Sequence, residues 1–372
     1  MRIAQIASIA ERVPAKKYGG SERIVYTLTE ELVKRGHDVT LFASGDSITS
    51  AKLSSIVPLS LRDMNIKNPY GLNELTFAHV GLAYAQQENF DIIHDHVYGL
   101  SMPTANLSKT PVVSTVHSMF HDDNIVLYKA MNNVNLVTIS ESQRLTAEGL
   151  NIIGTVYHGL NMQQYPFGKK HKGYLLFCGR MSMEKGVHFA IQAAQKLNMP
   201  LKIIARLADF EMDYFKTFVQ PHLSDPRLEW IGEVGEKERN KLMAGAKALL
   251  HPVTWPEPFG LTMIEAMACG TPVVAFNQGS IPEVIQDKKT GFVVRTVPEM
   301  VADVKTLNPI RRDYCRKYAL SRFTAAKMAE GYEKIYEQIV ARNTATKHVV
   351  IPRFSVKPVQ PLTNFMFSPE VS

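Results

Sequence analysis

Glu257-Pro258-Phe259-Gly260-Leu261-Thr262-Met263-Ile264-Glu265 sets two carboxylates on either side of a turn that opens a helix. The helical pattern continues through Ala266-Met267-Ala268-Cys269 and stops at Gly270, with Pro272 just beyond. Glycine past the end and proline soon after is a strong helix stop. Val273-Val274-Ala275-Phe276 then reads as a buried strand. A helix N-terminus carries unpaired N–H groups and the positive end of the helix dipole, which suits a phosphate. Eight helical residues rise roughly 12 Å, too far for Glu257 and Glu265 to act on one bond as an acid/base pair. Acids so spaced hold different parts of one long ligand, and a nucleotide sugar fits: pyrophosphate near the helix start, hydroxyl-rich rings to either side. The plainer reading is an amphipathic helix with a solvated Glu265.

Outward from that stretch the chain alternates strands and helices, which means parallel sheets with helices on both faces. In the first half, strands are expected at 2–7, 38–43, 90–96, 111–117, 135–139 and 155–159. Lys16-Lys17-Tyr18-Gly19-Gly20-Ser21-Glu22 separates the first strand from the first helix, with Ser21 as a candidate N-cap and Ile24, Val25, Leu28 and Leu32 at helical spacing. The glycine pair lets backbone approach a ligand closely, or simply serves a turn that needs positive φ. A further helix is expected over 72–87. His94, His96 and His117 fall at strand ends, where ligands of such sheets bind; a structural role is at least as good a reading for His94. A three-histidine metal site lacks the support of a helical His pair or a Cys cluster. Residues 165–173 are Pro/Gly-marked, basic and non-periodic, and read as a linker. Beyond it, strands are expected at 174–178, 201–205, 228–231, 248–251, 273–276 and 291–294, with helices at 187–197, 211–222 and 237–245 and another starting near Ser280. Arg180 and Lys185 sit in the loop after the first of these strands. Arg as a planar fork and Lys as a point charge can clamp a pyrophosphate and stabilise it as it leaves. The plainer alternative is a solvated loop.

Composition sets outer bounds. The chain has 372 residues, 45% apolar and 21% charged, which is ordinary for a soluble globular protein of two domains. Cys178, Cys269 and Cys315 lack metal-ligand spacing and read as small buried hydrophobes in a reducing compartment. The first residues turn polar too quickly for a signal peptide, and no apolar run reaches membrane-spanning length. A net charge of +7 permits an anionic ligand or an anionic membrane surface. The charges are scattered, without a basic stripe interleaved with aromatics, so nucleic acid is not an expected partner.

Two doubly wound domains with a ligand cleft between them resemble the GT-B glycosyltransferases. The motifs are similar to those of the retaining nucleotide-sugar glycosyltransferases of family 4. The matching residues are Tyr18-Gly19-Gly20-Ser21-Glu22, Ile93-His94-Asp95-His96, Thr115-Val116-His117, Cys178-Gly179-Arg180 with Glu184-Lys185-Gly186, the run from Pro256 to Val273, and Gly279-Ser280-Ile281-Pro282-Glu283-Val284. The resemblance implies an α/β, GT-B fold: two Rossmann-like parallel-sheet domains, 1–168 on the acceptor side and 174–324 for the nucleotide sugar, facing a central cleft. A crossover helix at 325–343 would pack back on the first domain, and 344–372 would be an extended or disordered tail. It implies that Arg180 and Lys185 grip the donor diphosphate, with Glu257 by the transferred sugar and Glu265 on the ribose. Phe259, Gly260 and Leu261 would offer backbone N–H groups. Gly19 and Gly20 would approach the diphosphate from the first domain, and His117 would line the sugar site. Glu257, His117, Arg180 and Lys185 are then the expected catalytic residues, acting on a nucleoside-diphosphate sugar and a hydroxyl acceptor without metal or cofactor. Where family members often carry a glycine-rich turn, this chain has Ala205-Arg206-Leu207-Ala208-Asp209, which bears on base recognition. A nucleotide-sugar epimerase of the same architecture and a non-catalytic nucleotide-sugar-binding protein are the alternatives. A cytoplasmic location is expected, with the basic charge compatible with peripheral association at the inner membrane face. Sugar, base and acceptor are not encoded legibly.

Overall fold

A computed structural model describes residues 1–17, 19–66, 73–308 and 310–346. Tyr18, the Leu72 start of one expected helix and the expected tail beyond Thr346 lie outside the described residues. The first half contributes β1 (Arg2–Ile6), β2 (Asp38–Phe42), β3 (Lys52–Ser54), β4 (Ile92–Asp95), β5 (Val112–Thr115), β6 (Asn135–Thr138) and β7 (Ile152–Thr155). Its helices are α1 (Gly20–Lys34), α2 (Asn73–Ala85), α3 (Met102–Asn106), α4 (Asp122–Ala130) and α5 (Glu141–Leu145). The second half contributes β8 (Leu175–Arg180), β9 (Leu201–Arg206), β10 (Leu228–Gly232), β11 (Ala248–His251), β12 (Val273–Phe276) and β13 (Gly291–Val294). Around them lie α6 (Val187–Leu197), α7 (Met212–Phe218), α8 (Glu236–Gly245), α9 (Leu261–Ala268), α10 (Ile281–Val284), α11 (Val297–Lys305) and α12 (Arg312–Arg322), and α13 (Ala325–Thr346) follows.

Both sheets are parallel, ordered β3-β2-β1-β4-β5-β6-β7 and β10-β9-β8-β11-β12-β13. Each order reverses beside its first strand, and that is where doubly wound sheets open a crevice at the strands' carboxyl ends. The crevices therefore lie between β1 and β4 and between β8 and β11. The central strands are buried on both faces because helices cover both: β4, β5, β11 and β12 are buried at every position. Helix α9 is buried all round, with Met263, Ile264, Ala266, Met267 and Ala268 at 0% exposure. It is a core helix and not an amphipathic one, with only Leu261 and Thr262 at its start partly exposed.

Several boundaries differ from expectation for identifiable reasons. The last strand of the first sheet is Ile152–Thr155, whereas 155–159 was expected. The chain leaves the sheet there because Gly159 N–H turns to Met328 Sδ and Leu160 exchanges backbone bonds with Phe323 and Ala325. Ser21 is not the N-cap of α1; Gly19 is, at φ 149°. A Cβ on Gly19 would meet Ala15 Cβ at 2.4 Å, so only glycine fits that entry. The helix expected over 211–222 shortens to α7 between two 3-10 turns, the second containing Pro221, which has no N–H to continue a ladder. Residues 165–173 are docked and do not form a free linker. Tyr165 is 2% exposed, and Gly168 is held by Cys269 and Arg312. Helix α13 returns to the first sheet, where Tyr336 bonds Gln5 and His94, Tyr332 bonds Thr115, and Glu333 pairs with Arg35 and His37. All three cysteines are free and buried.

Candidate active site

The end of β8, the loop beyond it and the turn before α9 bring three of the expected residues together. Lys185 Nζ donates to Glu257 Oε2 at 2.6 Å, and Trp255 Nε1 donates to the same oxygen at 3.2 Å. The ammonium also lies over the Trp255 ring, 4.8 Å from its centre, a cation–π contact. His251, at the end of β11, places Nε2 3.9 Å from that oxygen. Burial pushes the Glu257 carboxyl upward, but Lys185 and His251 outweigh it and hold it below the ordinary range. Glu257 is thus a fixed carboxylate. Burial likewise lowers His251 to about 4, leaving it neutral near pH 7. Arg180, the last residue of β8, donates to Glu211 at 3.2 Å and to Glu184. Both cations are therefore met by carboxylates, and an incoming anion would have to exchange with them.

Gly260 is the N-cap of α9 and has no side-chain cap, so the first amides of a buried helix point outward unclaimed by side chains. Gly20, at the start of α1, faces this point: a Cβ there would lie 3.5 Å from Leu261 Cδ1. The two halves thus meet glycine to helix start, with space that a side chain would fill. Phe259 is 2% exposed, its ring enclosed by Tyr157, His158 and Phe323, so only its backbone can meet a ligand.

Glu265 overturns the solvated reading. It is 1% exposed, and its Oε1 accepts from Arg23 at 2.5 Å, Arg239 at 3.0 Å and Tyr165 at 3.1 Å. Burial pushes this carboxyl up; Arg23 and Arg239 prevail and hold it below the ordinary range. All three donors converge on Oε1 and none of them reaches Oε2. Sequence reasoning missed Arg23, Arg239 and Tyr165. The available signal was position: Arg23 falls in the first turn of α1 after the glycine pair, on the edge that faces α9.

His94 is structural, as the plainer reading had it. It is 0% exposed and bonds Thr115 at 2.7 Å and Tyr336 at 2.5 Å. His117 is partly exposed and touches His96 on one side and His158 on the other. His158 in turn packs edge-on against Phe259, ring centres 5.0 Å apart, which links His117 to the α9 turn across the two halves. Among the described residues no group of three or more His, Cys, Asp or Glu could hold a metal ion.

Two doubly wound sheets, with a paired lysine and glutamate at a helix start of the second half and the glycine-led start of α1 facing it from the first, make a glycosyltransferase architecture of GT-B type. The family model for glycosyl transferases group 1 matches residues 162–319, and that for glycosyltransferase family 4 matches residues 18–147. Together the two matches cover most of the chain and mark it as a GT4-like glycosyltransferase. It is 24% identical to an uncharacterized glycosyltransferase of Methanocaldococcus jannaschii, over 78% of this chain and 85% of that one. Among solved structures it is similar to sucrose-phosphate synthase from Thermosynechococcus elongatus, with a TM-score of 0.75 at 19% identity, over 92% of this chain and 99% of that one. It is also similar to the HepE protein of Anabaena, solved with UDP and glucose, with a TM-score of 0.71 at 18% identity, over 91% of this chain and 100% of that one.

Proposed function

We propose that this glycosyltransferase moves a sugar from a nucleoside-diphosphate sugar to an acceptor hydroxyl with retention of anomeric configuration. The observation that carries the reading is the 2.6 Å Lys185–Glu257 contact at the start of α9, with Arg180 on the adjoining strand end. The donor diphosphate takes the place of the carboxylates now facing Arg180 and Lys185. The anomeric C–O bond breaks with its electron pair going to the diphosphate. The acceptor oxygen bonds the anomeric carbon on the same face, and its proton passes to a diphosphate oxygen. Arg180, Lys185 and the α9 amides stabilise the growing charge, so turnover is expected to survive chelation of divalent metals. Glu257, freed from Lys185, receives sugar hydroxyls, and Glu265 Oε2 receives the ribose. The UDP and glucose of the HepE structure support a nucleotide-sugar ligand. Among the described residues no helix is long and apolar enough to cross a membrane; a lipid-linked acceptor would be met through the basic surface.

The test is donor turnover and acceptor glycosylation by Arg180→Ala, Lys185→Ala and Glu257→Gln. Each should lose at least about a hundredfold in kcat/KM, the scale of removing one oriented donor of a charge-stabilising site. Near-normal activity of both cation variants overturns the diphosphate assignment. Epimer formed from the donor alone, without acceptor, would replace transfer by isomerisation.

A further inference from the structure

Four histidines from three separate stretches stand in one column. Successive ring centres lie 4.0 Å apart for His94–His96, 5.3 Å for His96–His117 and 5.2 Å for His117–His158. Hydrogen bonds run through the last three. His96 Nε2 meets Gln5 Oε1 at 2.8 Å, His96 Nδ1 meets His117 Nε2 at 3.0 Å, and His117 Nδ1 meets His158 Nε2 at 3.4 Å. His158 Nδ1 is buried with no hydrogen-bond partner among the described residues.

The proton positions follow from the ends of the column. The Gln5 amide nitrogen donates to the Tyr336 hydroxyl at 3.2 Å and faces His94 Nδ1 at 3.4 Å, so Gln5 Oε1 is turned to His96. A carbonyl oxygen only accepts, so His96 carries its proton on Nε2. A neutral imidazole has one proton, so His96 Nδ1 accepts and His117 Nε2 must donate. By the same step His117 Nδ1 is a bare acceptor and His158 donates from Nε2. The opposite polarity would need a flipped Gln5 and would strand a buried N–H at His158 Nδ1, the rarer kind of orphan in proteins. Burial keeps His96 and His158 well below the ordinary histidine range and lowers His117 to about 4, so the column is neutral near pH 7. Gln5 cannot pass a proton on, so the column holds a tautomer and does not conduct.

We propose that Gln5 and His96 are positioning residues that lock His117 with its proton on Nε2, so that His117 meets the transferred sugar as a hydrogen-bond acceptor through Nδ1, the atom that His158 covers in the ligand-free protein. The Nε2–H is committed to His96 at 3.0 Å, while the longer 3.4 Å contact on Nδ1 is the one a sugar hydroxyl displaces. The site therefore selects a donor sugar with a free hydroxyl facing His117 and rejects its deoxy or O-alkylated analogue. The sugar half of this proposal rests on the transferase reading above; the lock does not.

Histidine nitrogen NMR on the ligand-free protein reads the lock directly. The expected result is a protonated Nε2 and bare Nδ1 at His96, His117 and His158; a proton on His117 Nδ1 overturns the proposal. Kinetics follow with whichever of UDP-, GDP- or ADP-glucose and -mannose most raises the melting midpoint. His96→Leu, which offers His117 no acceptor, should raise donor KM about tenfold, the scale of one misdirected hydrogen bond, and should give His117 mixed tautomers. His96→Gln presents an oxygen to His117 and an N–H to Gln5, so it should restore both KM and tautomer. Equal defects in the two variants, or a deoxy-sugar donor used as well as its parent at every position, overturn the positioning role. The expected tautomers with no turnover of any of these donors would overturn the transferase reading and the sugar half together, leaving the lock.

Discussion

Glu257 owes its position to its backbone as much as to its ion pair. Ser280 N–H donates to Glu257 O at 2.9 Å, and Gly279 fills the space directly behind. Gly279 sits at φ 55°, and a Cβ on it would fall 2.3 Å from Glu257 O and 2.5 Å from Glu257 N. Alanine there clashes with the Glu257 backbone and displaces it from its contact with Lys185. Displacements of about 1 Å at a reacting centre cost about a hundredfold, so Gly279→Ala is expected to lose roughly that factor in kcat/KM while the circular dichroism spectrum stays native. A loss below threefold would mean that Glu257 is not placed by this wall. The motif Gly279-Ser280-Ile281-Pro282-Glu283-Val284 was legible in the sequence. Its contact with Glu257 was not, because nothing local in either segment refers to the other. The same holds for Glu265: its helix was legible, but its three donors come from α1, α8 and the segment after β7.

At the scale of elements, one of the joins between the two halves runs through a helix end. Glu283, on α10, accepts from Glu141 N–H at 2.8 Å, Ser142 N–H at 2.6 Å and Tyr157 O–H at 2.9 Å. A carboxylate from the second half therefore closes the first turn of α5 in the first half, beside the Ser140 cap on Gln143. Removing a cap of this kind costs about 1–2 kcal/mol, so Glu283→Ala should lower the urea unfolding free energy by that amount. Glu283→Gln keeps one acceptor oxygen and should lose less; equal losses would show that the capping bonds are not the cause. Elements with clear bounds were legible to the residue: β11, β12 and β13 match expectation because each is a short apolar run closed by turn residues. The three-residue β3, α11 and α12 were not read, since a short half-exposed strand and mixed surface helices have weak periodicity.

At the scale of the molecule, burial of many neutral histidines ties stability to pH. Burial lowers His79, His117 and His251 to about 4, and lowers His94, His96 and His158 well below the ordinary value. Unfolded histidines titrate near 6.5, so below about that pH the unfolded chain binds more protons than the folded one and stability falls with falling pH. Asp95 runs the other way. Burial raises it to about 6, so the folded state takes up that proton first and gains stability between about 6 and its unfolded value near 3.9. Glu22, Glu211 and Asp303 are raised by burial in the same sense; the six histidines outnumber these four carboxyls and leave a net loss. Below about 4 the depressed carboxylates Glu257 and Glu265 add to it, since their contribution is lost as pH falls through their folded values. The urea midpoint should decline steadily from pH 7 to pH 4.5; a flat profile over that range would mean that the column titrates in the folded state.

Sequence alone determined the class of fold, because alternating apolar strands and helices with glycine-closed turns admit parallel doubly wound sheets and little else. It also determined which residues carry charge around the strand ends and the α9 helix that follows: Arg180, Lys185, Glu257 and Glu265. Tertiary structure decided their partners. Lys185 faces Glu257, Arg180 faces Glu184 and Glu211, and Glu265 is held by Arg23 from the opposite half. It also decided that His96, His117 and His158 share one column. The physical reason is that patterning reports which way a side chain points within its own element, whereas a buried charge or imidazole takes its state from neighbours that only the packing of two sheets brings within 3 Å or so.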